Sequence, residues 1–387
     1  MDSGSNRAPT VSHPRGRRFH CRASLVRAGL AMGMAALVLA GCARWHPPSE
    51  PGRSPARIQQ DIAERLPSDV HDRSGWSQAI YVALSTQNIA TTPTHVCATI
   101  AVIGQESGFE ADPQVSGLGR IAHDELARRA RAAHVPQALL DAALRLKSSN
   151  GRTYDQRLSD VKTEGQLSDL FEDFVGRVPL GHTLLGSFNP VHTGGPMQVD
   201  VDFAKAHADD YPYDIDGSIR HEVFSRRGGV YFGVRHLLGY PADYDRPLYR
   251  FADYNAGWYA SRNAAFQRAV SRLTGISLAL DGDLVIPGRR RTSQTERATR
   301  TLSSSLDLDE RAIHEALAQE NTADFSQTHL YTRVMALADQ QAGKPVARAI
   351  LPGITLDSPK ITRHLTTAWF AKRVASRWHD CMARDRT

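Results

Sequence analysis

The stretch Thr92–Ser107, TPTHVCATIAVIGQES, most constrains the fold. Val96, Ile100 and Ile103 fall on one stripe at helical spacing, and Cys97, Ala101 and Gly104 widen it. A helix apolar over so much of its circumference belongs at the centre of a protein, so the rest of the chain has to wrap around it. Thr92 followed by Pro93 reads as an N-cap with proline at the first helical position. The helix therefore runs to about Ser107, and its last turn holds Glu106, with Val102, Ile103 and Phe109 nearby. Ala101–Pro113 contains no basic residue to neutralise that acid. The negative end of the helix dipole and the apolar neighbours both disfavour an ionised carboxyl, so both raise its pKa. A carboxylic acid kept protonated near neutrality suits leaving-group protonation in glycosidic cleavage. On this stretch alone, a helix-end glutamate pointing into solvent accounts for the residue equally well.

The remaining patterns are also helical, and the fold class is mainly α. Apolar spacing predicts helices over Trp76–Ile89, in the amphipathic stretch 121–175, near Asp202, and over Gly229–Leu238, Leu248–Tyr254 and Arg262–Leu273. Three more fit Asp309–Gln319, Phe325–Gln341 and Pro359–Met382, the last capped by Ser358. Between them, Gly176–Gly195 reads as an irregular loop with His182, Asn189, Pro190 and His192, and Asp281–Arg300 as a polar surface connection. No internal repeat is present.

The formal charge of +6 invites a nucleic-acid reading, but six arginines and one aspartate in residues 1–41 supply +5 of it. The rest is nearly neutral, and no basic-aromatic run suggests nucleic acid. Residues 1–41 read as an export signal: a basic segment to Arg27, the apolar run AGLAMGMAALVLA, then LAGC at Leu39–Cys42. The small residues before Cys42 resemble a bacterial lipobox, in which the cysteine is lipidated and becomes the new N-terminus. That implies a membrane contact through an N-terminal lipid, with residues 42–60 as a flexible tether rich in Pro, Ser and charge. Ala43, where an inner-membrane retention signal would have aspartate, implies passage to the outer membrane, facing the periplasm.

Two further stretches bear on Glu106. GGPMQV (Gly194–Val199) precedes a predicted helix, and ADYNAG (Ala252–Gly257) sits at the end of another. QESGF, GPMQV and YNAG, in that order, resemble the lysozyme-like lytic transglycosylases of the soluble (SLT) type. The likeness spans roughly residues 75–275 and includes GVYFGVRHLLG (Gly229–Gly239) before the YNAG turn. The resemblance implies a lysozyme-like helical domain acting on peptidoglycan glycan strands without a cofactor. It makes Glu106 the single catalytic acid/base, with Ser107 beside it. By the same match Met197 and Gln198 line the groove, Tyr254 contacts the acid and Asn255 binds sugar. Such enzymes cut the β-1,4 bond between N-acetylmuramic acid and N-acetylglucosamine, closing a 1,6-anhydro ring in place of water attack. Met197 has a second reading as core filler, Tyr254 as a half-buried aromatic, and Asn255–Gly257 as a helix stop.

One departure stands out: 91 positions separate Glu106 from Met197, where the family has a short connection. Residues 61–280 are then the lysozyme-like domain with an insert at about 120–190, and 281–387 a helical extension packed on it. The insert and the Phe188–His192 loop are expected to wall off one end of the groove. Two rival readings stay open: a water-using muramidase with Asp200 or Asp202 as second carboxylate, and a non-catalytic wall-binding or scaffold lipoprotein. No metal-ligand spacing accompanies His182 and His192. Protein partners are not legible. With Cys21 in the signal and Cys42 lipidated, Cys97 and Cys381 remain. Cys381 shares a stripe with Phe370, Val374 and Trp378, so both cysteines face inward, either bridged in the oxidising envelope or as two buried thiols.

Overall fold

The computed structural model describes residues 52–177, 189–286, 288, 291–356 and 365–384. The signal segment, Cys42, His182, Phe188, Ser358 and Pro359 lie outside the described residues.

Helix α1 (Pro55–Arg65) starts inside the stretch expected to be a flexible tether, which therefore ends by Ser54. Ser54 caps α1, and Ile62 and Leu66 bury on the main core, with Ile58 packed against it. This four-residue period was masked by the polar composition around it. Helix α2 (Arg73–Thr86) follows, then α3 (Pro93–Glu106), which begins at the expected cap: Thr92 Oγ1 accepts from His95 N at 3.3 Å. Every residue of α3 from Val96 to Ile103 is buried. Around it pack α2, α10 (Arg226–Leu238), α11 (Pro247–Ala256) and the last helix, α17 (Thr367–Ala383), in one core with Ile80, Phe232, Phe251 and Val374. The structure joins Cys97 of α3 to Cys381 of α17 in a disulfide, with Cα atoms 5.5 Å apart. The C-terminal helix is thereby fixed to the back of α3 across 284 positions of sequence. It begins at Thr367 and is capped by Thr366, later than the spacing predicted.

The stretch between α3 and the GGPMQV motif is a separate small module. Helices α4 (Leu118–Ala132), α5 (Gln137–Leu144), α6 (Tyr154–Asp160) and α7 (Glu164–Arg177) surround Leu118, Tyr154, Leu158, Leu167 and Leu170. The long amphipathic run splits at Ala133–Pro136, since proline cannot continue a helix and restricts the residue before it. Two-residue strands β1 (Thr193–Gly194) and β2 (Val199–Asp200) then form an antiparallel ladder that closes the GPMQ turn.

Short helices α8 (Val201–Ala206) and α9 (Ile219–Val223) lead from that turn into α10. Past α11, α12 (Ala260–Thr274) packs with α14 (Ser303–Leu306), α15 (Glu310–Leu317) and α16 (His329–Ala342) around Phe266, Leu306, Leu317, Phe325 and Val334. This second core straddles position 280, so the C-terminal extension grows out of α12 and does not begin at a boundary. The expected surface connection 281–300 holds a helix instead, α13 (Gln294–Arg300), on which Thr295, Glu296, Ala298 and Thr299 are buried. Its polar buried groups are satisfied within the protein: Arg300 pairs with Glu296 at 2.7 Å, and Thr295 Oγ1 accepts from Gln267 of α12. That is why polarity misled here. A second ladder, β3 (Thr355–Leu356) with β4 (Leu365–Thr366), precedes α17. Among the described residues, no helix is long and apolar enough to cross a bilayer.

Candidate active site around Glu106

Glu106 is the final residue of α3, half-buried, where the helix emerges from the core. Among the described residues, no hydrogen bond or ion pair reaches its carboxyl. Desolvation alone pushes its pKa up to about 7. A carboxyl with no partner has nothing to hold the charged form, so burial decides its state.

The turn beyond it is tightly built. Ser107 donates to Ile103 O at 3.1 Å and accepts from Phe109 N at 3.2 Å, so its hydroxyl closes the end of α3. Gly108 and Phe109 both take left-handed backbone, and the Phe109 ring meets Trp76 edge-on at 5.4 Å.

Tyr254 in the last turn of α11 is buried beside Glu106, whose charge raises the phenol's pKa further after desolvation has already pushed it up. Its hydroxyl donates to Met197 O at 2.5 Å, tying the YNAG turn to the GPMQ turn. The Met197 side chain itself is fully buried, which corrects the expectation that it lines a groove. It packs on α10 where a Cβ at Gly233 would overlap its sulfur, so Gly233 is what admits it. Gly195, at φ +73°, passes so close to Val223 O that no side chain fits there.

Gln198 and Asn255 are placed on protein partners. Gln198 Nε2 donates to Glu164 Oε2 of α7 at 3.2 Å, while Asn255 Oδ1 accepts from Thr367 Oγ1 at 3.0 Å. Neither amide is held toward Glu106 by these bonds. The insert and the last helix therefore both reach the motif residues. The insert also docks just past Glu106, where Asp112 accepts from Gly165 N at 3.1 Å and Val115 N donates to Lys162 O at 2.8 Å.

Asp200 and Asp202 have other work. The Asp200 carboxylate caps α8 by accepting from Phe203 N at 2.7 Å. Asp202, with its side chain 81% exposed, pairs with Lys205 at 3.2 Å.

A family model described as "Protein of unknown function (DUF1615)" matches residues 69–384. The chain belongs to this family. It is also 49% identical over 350 residues to "Uncharacterized protein YaiW" of Escherichia coli (strain K12), covering 90% of this chain and 96% of that protein. No solved structure matches. The family span encloses Glu106, the insert, both later motifs and all of α17, so these are parts of one family body.

Two residues near Tyr254 escaped the sequence reading. His236 Nε2 donates to Tyr254 O at 3.1 Å, its Nδ1 is buried without a partner, and burial pulls its pKa down, which holds it neutral. Asp253 is fully buried, accepting from the hydroxyls of Tyr240 and Tyr244 at 3.0 and 2.6 Å and from Ser261 N at 2.7 Å. Burial pushes that carboxyl up, and the three donors partly offset the push. Its bonds fix the α11–α12 corner from which Tyr254 projects. The available signal was a charged residue inside the otherwise buried run Phe251–Tyr254, with tyrosines upstream at 240 and 244. Among the described residues, no three His, Cys, Asp or Glu side chains converge on a metal site.

Proposed function

We propose that this protein is a lysozyme-like lytic transglycosylase of the bacterial wall that uses Glu106 as its only catalytic carboxyl. The observation that supports this best is a carboxyl at the mouth of a buried helix with no partner among the described residues, so that desolvation pushes its pKa up to about 7. Protonated, Glu106 gives its proton to the glycosidic oxygen as the bond breaks. Ionised, it takes the proton of the sugar's C6 hydroxyl, which closes the 1,6-anhydro ring. A pKa near neutrality lets one group serve both steps. Tyr254 supports the cycle by position: it lies beside the acid with its proton already given to Met197 O, so it does not donate to the carboxylate and stabilise the charged form.

The hydrolase reading has less support, since the Asp200 carboxylate caps α8 and Asp202 pairs with Lys205 at the surface. A second reading has one observation in its favour. Ser107, Gln198 and Asn255 spend polar atoms on protein partners, as they would in a wall-binding protein that does not cut. One experiment separates the two. The mature protein and Glu106→Gln are incubated with purified peptidoglycan, and the soluble products are weighed by mass spectrometry. Anhydro ends from wild type, reduced at least about a thousandfold in Glu106→Gln, support the enzyme. Binding without anhydro ends from wild type supports the second reading, and reducing ends support hydrolysis.

The same proposal places the protein on the outer membrane, facing the periplasm through a lipid on Cys42. Labelled palmitate should enter wild type and not Cys42→Ala; equal labelling would remove the anchor.

A further inference from the structure

Helix α17 has two faces. Phe370, Ala371, Val374 and Cys381 are buried against the main core. The other face presents Trp369, Lys372, Arg373, Ser376, Arg377 and Asp380, which line a concavity of about 340 Å³. Their spacing alternates three and one, so all six stand on one stripe of the helix. Trp369 is 36% exposed, unusual for so large an apolar group, and the Arg373 guanidinium sits 5.7 Å from its ring centroid. Three cations share the hollow with one acid, and among the described residues no carboxylate pairs with any of the three. Elsewhere on this molecule arginines commonly find partners, as Arg227 does with Glu222 and Arg348 with Asp339.

The hollow also adjoins the last turn of α3, which carries the candidate catalytic residue. Arg377 Nε donates to Gln105 Oε1 at 3.2 Å, and Gln105 immediately precedes Glu106. At its other end, α17 holds Asn255 through Thr367. The disulfide fixes the helix in that position.

The geometry points to this face of α17 as a subsite for the carboxylates of the wall glycan's stem peptides. The inference rests on the function proposed above. Lys372 and Arg373 meet the carboxylates, and Trp369 supplies an apolar platform for the sugar or the aliphatic part of the peptide. An anionic membrane is the competing occupant. It is disfavoured because the surface is concave, contains one aromatic, and adjoins the last turn of α3.

The test measures binding of the mature Glu106→Gln protein, which does not consume its ligand, to three partners at low salt. They are intact peptidoglycan, neutral N-acetylglucosamine oligomers, and phosphatidylglycerol vesicles. Adding Lys372→Glu and Arg373→Glu should weaken binding to peptidoglycan about tenfold and leave the neutral oligomers unchanged. The milder Lys372→Gln with Arg373→Gln should weaken it by about threefold, which guards against a folding artefact. In the Glu106 background the charge-reversed pair should raise KM for peptidoglycan with kcat unchanged. Unchanged peptidoglycan affinity, or a loss confined to the vesicles, overturns the inference. If wild type makes anhydro ends while the pair leaves KM intact, the subsite fails and the enzyme stands. If wild type makes none, the enzyme fails, and the binding comparison still decides the subsite.

Discussion

The helix bearing Glu106 and the module that follows it are packed to different standards. Along α3 every residue from Val96 to Ile103 is buried, and a disulfide ties its far side to α17. In the module, α5 buries no residue, α4 buries only Leu118 and Gly119, and Leu139 and Leu146 stand 61% and 54% exposed. An apolar cavity of about 770 Å³ opens between α4, α5, α7 and Val191. A dense frame can hold a carboxyl against the pull of solvent, because the groups around it cannot rearrange to hydrate it. A loose module can shift without disturbing that carboxyl, provided its few bonds to the frame give way first.

Several substitutions test that contrast. Replacing Cys97 and Cys381 by serine removes a cross-link over 284 positions and should lower stability by about 3–5 kcal/mol, read as a fall in the denaturation midpoint. Ile103→Ala, one turn before Glu106, should cost about 2–4 kcal/mol. Losses under about 1 kcal/mol in both would mean that α3 is not the stiff element described.

The next effect is pH-dependent. Glu106 has an unfolded value of 4.5 and a folded value of about 7, so the folded state holds a proton that the unfolded state has lost between them. Stability therefore falls as pH rises through this window, by at most about 3 kcal/mol and by less where solvent screens the half-buried carboxyl. Glu106→Gln should abolish that part of the slope and melt higher than wild type at pH 8, with little difference at pH 4. An unaltered slope would separate Glu106 from the pH dependence. The smallest effect belongs to the module: Leu139→Ser should change stability by no more than about 0.5 kcal/mol.

The contrast also explains what could be read from sequence. The cap at Thr92–Pro93, the end of α3 at Glu106 and the inward stripe bearing Cys381 are local signals, set by residue type and spacing within a few turns. The partners of the motif residues are not local. Nothing near Gln198 announces Glu164, 34 positions earlier, and nothing near Asn255 announces Thr367, 112 positions later. Met197 looked like groove lining because its motif resembles one, yet Gly233 across the core makes room to bury it. Thr295 and Glu296 looked like surface because they are polar, and tertiary hydrogen bonding overrode the pattern.

The account depends on a carboxyl kept protonated by its surroundings and not by a partner. The direct measurement is a carbon-13 NMR titration of the Glu106 side chain in the mature, disulfide-bonded protein, assigned by comparison with Glu106→Gln. The account predicts a midpoint near 7, following the desolvated position at the end of α3. A midpoint near the ordinary glutamate value of 4.5 would contradict it, because that carboxyl would be ionised at neutral pH and unable to act as the acid.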